Sequence, residues 1–137
     1  MVTDEQKKSL ISAAQEALKN PYGKAGTVYT AAVLTKDGNI YPGISYFSDT
    51  YSLTLHGEQA ALSHAADHGE AEIIAIAVAS TEEKKPGEFI NPCHMCKQLL
   101  YESSRRSGLP MLIILTNHHD ETEEINLSEM LPYPWPV

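Results

Sequence analysis

The chain has 137 residues, 42% of them hydrophobic, and ten Lys+Arg against eighteen Asp+Glu leave a formal net charge of -8. That length and apolar content suit one domain spanning residues 1–137, and no run approaches the roughly 20 apolar residues of a membrane span. The acidic balance disfavours a nucleic-acid partner, which calls for a basic surface to displace phosphate counterions, and favours a small-molecule substrate.

The N-terminus, Met1 to Lys8, is polar and lacks the basic-then-apolar order of a secretory signal, so a cytoplasmic location is expected. From Thr3 to Asn20, Leu10, Ile11, Ala14, Ala17 and Leu18 recur at helical spacing, and Asn20-Pro21 ends the pattern because a residue before proline is pushed out of the helical region. Thr27 to Thr35 and Ile40 to Tyr46 favour strands, and Lys36-Asp37-Gly38-Asn39 between them predicts a hairpin turn. Leu55 to His68 is Ala- and Leu-rich and closes on Gly69, the composition and stop signal of a helix. Ile73 to Ala79 is an almost unbroken apolar run, as expected of a fully buried strand. A loop through Lys84-Lys85-Pro86-Gly87 leads to Asn91-Pro92, which opens a helix from Cys93 to about Ser107 that Gly108 ends. Met111 to Leu115 is a second buried strand, a last strand falls around Ile125 to Leu127, and Leu131 to Val137 is a proline-rich tail. The order α-β-β-α-β-α-β predicts an α/β fold of three layers, α-β-α, with a mixed central sheet.

Two short motifs carry chemistry. His56-Gly57-Glu58 stands at the start of one predicted helix and Pro92-Cys93-His94-Met95-Cys96 at the start of the next. Free N–H groups and the helix dipole stabilise thiolates at such a position. With only two cysteines, three apart, metal ligation is a better reading than a disulfide. His56, Cys93 and Cys96 together supply three ligands to a tetrahedral Zn²⁺, whose fourth position stays open for water, the arrangement of a catalytic site. Water on such a cation ionises near neutral pH, and Glu58, two residues from a ligand, is placed to move its protons. The joint spacing H-x-E…P-C-x-x-C matches that of zinc deaminases.

On these residues the chain resembles the cytidine deaminase family from about Pro21 onward. Pro21-Tyr22-Gly23-Lys24 is similar to the family's entry segment, Lys36-Asp37-Gly38 to its hairpin turn, Cys96-Lys97-Gln98-Leu99-Leu100-Tyr101-Glu102 to its C-[RK]-Q-x-L-x-E helix, and Leu131-Pro132 to its closing Leu-Pro. His56-Gly57-Glu58-Gln59 resembles the branch with a histidine ligand, in which Gln follows Glu. The resemblance implies hydrolytic deamination of an aminated pyrimidine, nucleoside or nucleoside analogue, and a homo-oligomer, dimer or tetramer, with sites at subunit contacts. It departs at the family's ribose-binding Gly-x-Asn-x-Glu segment: counting from Gly43, this chain offers Ser45 and Phe47, so cytidine is expected to be a poor substrate. Blasticidin-S deaminases, similar in length and in a tryptophan-bearing tail, also lack that Glu but keep the Asn.

Ser45, Phe47, Tyr133 and Trp135 are the candidate substrate contacts, the last two equally readable as a tail packed on the body. His64 and His68 read as solvent-facing, His94 as pointing away from the metal, His118-His119-Asp120 as a loop, and Glu121, Glu123 and Glu124 as a solvated face. A zinc-stabilised module without activity would account for Ser45 and Phe47 but leaves Glu58 unused. A tRNA-type deaminase shares the metal motif but conflicts with the charge.

Overall fold

Thr3 opens the first helix, its Oγ1 accepting from Gln6 N–H at 3.1 Å while Gln6 Oε1 accepts from Thr3 N–H at 3.0 Å. This reciprocal cap satisfies two of the donors a helix start leaves free, and Asp4 and Glu5 favour the positive end of the dipole. In the computed structural model, which describes residues 1–20, 22 and 26–137, helix α1 runs Asp4–Ala17. Of the entry segment resembling the family's, Pro21, Gly23 and Lys24 lie outside the described residues.

Strands β1 (Tyr29–Thr35) and β2 (Ile40–Ile44) form the expected antiparallel hairpin, and Gly38 takes a φ of 91° in its turn. Helix α2 (Gly57–Asp67), β3 (Ile73–Ser80), α3 (His94–Ser107) and β4 (Leu112–Thr116) follow. The sheet order is β2-β1-β3-β4-β5; only the β3–β4 pair is parallel, so the sheet is mixed. Successive β1 residues serve opposite faces. Ala32 and Leu34 pack with Leu10 and Ala14 of α1, whereas Ala31 and Val33 pack with Ala61 and Ala65 of α2 and Leu100 of α3. Both faces are covered, which is why β1 and β3 read as apolar runs without alternation. Among the described residues no helix is long and apolar enough to cross a membrane.

The C-terminal end differs from expectation. The last strand, β5, is Thr122–Asn126, paired antiparallel to β4, and Leu127–Met130 forms a short helix, α4. The acidic run is therefore an edge strand. Glu123 and Glu124 are exposed, and Glu124 binds Lys7 at 2.9 Å. An edge strand buries little and uses charge to discourage further pairing, so its pattern imitates a solvated loop.

Two glycines set α2 close to the sheet. A Cβ on Gly43 in β2 would fall 2.2 Å from Ala61 N and 2.6 Å from Ala60 C, and one on Gly57 would fall 2.9 Å from Thr30 backbone atoms. This close approach also changes the reading of His64, which is half-buried with its Nδ1 2.8 Å from Pro42 O; His68 is exposed, as expected, and both rings pack on Tyr41. Because backbone atoms cannot yield, Gly43→Ala should lower stability by about 1–3 kcal/mol. Gly69→Ala, where a Cβ meets nothing but φ is 78°, should cost about 1 kcal/mol. Thermal melts check this; equal losses would contradict the close approach.

Candidate metal centre and catalytic cleft

Both motif histidine and first cysteine sit one residue before their helices begin. His56 is the N-cap of α2, and its backbone N–H donates to Gln59 Oε1 at 2.7 Å; Cys93 is the N-cap of α3, and its Sγ accepts from Cys96 N–H at 3.4 Å. Serving as N-caps turns both side chains toward the free N–H groups of a helix start, where a thiolate gains from the dipole. The two helix starts meet. His56 Nδ1 lies 3.3 Å from Cys93 Sγ and 3.2 Å from Cys96 Sγ, and the three donor atoms fall within 4.8 Å of one another. His94 is exposed and outside this group.

The chemistry of the donor set fits a zinc ion: one imidazole nitrogen and two sulfurs from three residues, with room in a tetrahedral shell for one more ligand. Without a cation the arrangement is electrostatically costly. Burial, with the Glu58 and Cys93 charges close by, pushes the Cys96 thiol far above its ordinary value. Glu58, only 6% exposed, has its carboxyl held above the usual carboxylate range by burial, partly offset by backbone hydrogen bonding, the Cys96 thiol and His56. A divalent ion would reverse the balance for both groups.

A cavity of about 420 Å³ opens beside these donors, lined by His56, Glu58 and Cys93. Ser45 and Phe47 line it too, in different ways. Ser45 is buried, its Oγ accepts from Tyr29 N–H at 3.1 Å, and its own N–H donates to Tyr29 O at 2.8 Å, so it knits β2 to β1. Phe47 is half-exposed and leads a segment closed by paired backbone bonds between Tyr46 and Leu55, both 2.9 Å. Tyr133 and Trp135 lie outside this cleft. The tail runs along α3, where Gln98 Nε2 donates to Trp135 O at 2.7 Å, the Tyr101 hydroxyl to Pro136 O, and Arg105 to Val137 O, leaving both aromatic rings exposed.

Sequence reasoning missed a further part of the lining, formed by Tyr29 and by Glu82, Lys84, Phe89 and Asn91 from the β3–α3 connection. The Tyr29 hydroxyl donates to Glu82 Oε2 at 2.8 Å, and Lys84 Nζ to Glu82 Oε1 at 3.0 Å. Those two contacts hold the Glu82 carboxyl below the usual range, the Lys84 bond first. No local motif signals this wall, because Tyr29, whose hydroxyl holds Glu82, lies 53 positions from it.

Comparison with known proteins decides the family. The description "Cytidine and deoxycytidylate deaminase zinc-binding region" matches residues 4–109. The chain belongs to that family. Membership makes it a zinc-binding hydrolytic deaminase of carbon–nitrogen bonds. A cytidine deaminase of Halalkalibacterium halodurans is 33% identical over 102 residues, covering 74% of this chain and 72% of that protein. One from Sporosarcina psychrophila is 32% identical over 119 residues, covering 87% and 81%. In three dimensions the family fold recurs in the Burkholderia pseudomallei cytidine deaminase, with TM-score 0.79, 28% identity and coverage of 93% and 98%. The Mycobacterium tuberculosis cytidine deaminase gives TM-score 0.74 at 24% identity, covering 98% and 99%.

The raised Glu58 value has a testable consequence for the zinc-free protein. Its folded value lies above its unfolded one, so its stabilising contribution is complete below the ordinary carboxylate range and is lost as pH rises through the raised value. Zinc-free Glu58→Gln should therefore melt at a higher temperature than zinc-free wild type at pH 8, with the gap closing toward pH 4. A gap unchanged between those pH values would show that burial of the charge is not the cause.

Proposed function

We propose that the chain is a single-domain deaminase of an amino-substituted pyrimidine, nucleoside or nucleoside analogue, with His56, Cys93 and Cys96 as zinc ligands and Glu58 as the proton-transferring group. The observation that carries the proposal is the meeting of three soft donors with a buried carboxylate at one cleft. When bound, zinc supplies a water acidified enough to attack at neutral pH. Glu58 takes one proton from that water and delivers it to the ring nitrogen next to the amine-bearing carbon. It then passes the second proton to the amine, which leaves as ammonia while the ring carbon keeps the oxygen. Glu58 is 6% exposed and lines the cleft, so it exchanges protons with the substrate side while largely shielded from bulk water.

Ring selection rests on the walls. Ser45 carries a hydroxyl that already accepts from Tyr29 N–H, and Phe47 offers an apolar face, so neither supplies the carboxylate-and-amide clamp that the family uses for ribose. An unpaired buried hydroxyl costs about 1–3 kcal/mol, so cytidine is a poor substrate relative to a base or nucleoside with a different substituent.

The proposal also includes a homo-oligomer in the cytoplasm. Tyr46, Phe47, Tyr51, Leu53 and Leu55 expose apolar surface beside the cleft, and Tyr133 and Trp135 are exposed on the tail. Such surface is what a second copy would cover.

The catalytic assignment predicts that Cys93→Ala and Cys96→Ala lose zinc and stability together, read by elemental analysis and thermal melts. Glu58→Gln should keep zinc while ammonia release falls by about 10²–10⁴ or more. Assays with cytosine, cytidine and a modified-sugar nucleoside should place cytidine below the last. Full activity of Glu58→Gln, or unchanged zinc in both cysteine variants, would overturn the assignment. For the assembly, light scattering should give a dimer or tetramer at micromolar concentration, and a fully active monomer would overturn it.

A further inference from the structure

Two carboxylates line the cleft among the described residues, and the proposed chemistry uses one of them. The other, Glu82, is held on a wall built for position. Glu82 N–H donates to Ser80 Oγ at 2.9 Å, and Val28 N–H to Thr81 Oγ1 at 3.1 Å, which tie the start of the β3–α3 connection to the sheet. Farther on, the turn between β4 and β5 grips it. Lys84 N–H donates to His118 Nδ1 at 3.1 Å, His119 Nε2 bonds to Lys84 O at 2.7 Å, Gly87 N–H donates to Glu121 Oε1 at 2.9 Å, and Asn117 Nδ2 donates to Glu88 O at 3.0 Å. His118 and His119, which read as an ordinary loop, and Glu121, which reads as part of a solvated face, thus fix the segment that carries Lys84 along the cleft.

A carboxylate has roughly four lone-pair sites, and Tyr29 and Lys84 fill one on each oxygen. Its side chain stays 40% exposed, so the remaining acceptor sites are open to an incoming molecule. Lys84 and Glu82 compensate one another within their ion pair, and with Glu58 the lining carries two carboxylates against one lysine, so the cleft keeps an acidic excess.

We propose that Glu82 is a specificity-determining residue: it accepts hydrogen bonds from a cationic, amine-bearing substituent on the substrate's ring and discriminates against a phosphorylated one. The inference rests on the deaminase reading of the cleft and narrows its substrate class. Charge-assisted hydrogen bonds are the strong ones, and a fixed carboxylate both attracts an ammonium and repels a phosphate.

The test measures binding without turnover, by calorimetry on the full, zinc-loaded chain in a Glu58→Gln background. The probes are cytosine, 5′-amino-5′-deoxycytidine and cytidine 5′-monophosphate, each titrated into protein with Glu82 intact, with Glu82→Gln and with Glu82→Lys. With Glu82 intact, the amino nucleoside should bind about tenfold more tightly than the monophosphate. Glu82→Gln should bring the two near equality and Glu82→Lys should invert them, while cytosine affinity stays within about twofold throughout. Preference for the monophosphate with Glu82 intact, or an order insensitive to residue 82 while cytosine still binds, would overturn this inference alone. Failure of all three probes to bind would overturn the deaminase reading along with it.

Discussion

The site depends on how closely the start of α2 approaches the sheet. His56 and Glu58 flank Gly57, whose missing side chain lets the helix start rest against Thr30, and Gly43 admits the backbone at Ala60 and Ala61 one turn later. A helix held farther away would carry the His56 imidazole out of reach of the two sulfurs that the start of α3 presents. With both helix starts meeting at one end of the sheet, three donors from positions up to 40 residues apart come within 4.8 Å. The α2–sheet contact is therefore both packing and catalytic geometry.

Electrostatics then explains why such a centre calls for a cation. A buried thiol and a buried carboxyl that both resist ionisation form a site unfavourable to negative charge when empty of metal. An ion changes the sign of the local field, so the same burial that penalises the free Cys96 thiolate strengthens its grip on the ion. Capping supplies the rest: Cys93 Sγ takes Cys96 N–H, and the Gln59 side chain holds His56 N–H, so the ligands are braced by the helices that carry them. Glu58 stays in the same low-dielectric surroundings, which suits the proton transfer proposed for it.

The cleft has two walls of different origin. One is local, the segment from Ser45 to Leu55 that follows β2 and closes on itself through Tyr46 and Leu55. The other is the β3–α3 connection, whose shape is set by a turn between two later strands. Chemistry and substituent recognition therefore rest on different parts of the chain. The helix starts can stay constant while the connection and the turn that grips it vary.

His56, Glu58, Cys93 and Cys96 were legible from the sequence because each motif spans four residues or fewer and each stands where a helix begins, so composition and stop signals locate it. The hairpin and the apolar runs of β1, β3 and β4 were legible for the same reason, their periodicity being a local property. What the chain order could not reveal was anything settled by contacts between distant residues. The edge strand β5 hides behind a charged pattern because it buries little, and the tail's path along α3 depends on Gln98, Tyr101 and Arg105 meeting carbonyls at Trp135, Pro136 and Val137. Lys84 reads as surface loop until His118, His119 and Glu121, more than thirty positions on, hold its segment along the cleft, and Glu82 beside it carries no motif at all. The sequence by itself thus determined the reaction class, since the proposed metal donors and proton carrier lie in short capped motifs, whereas tertiary structure alone decided the cleft's second wall, since non-local hydrogen bonds leave no periodicity to read.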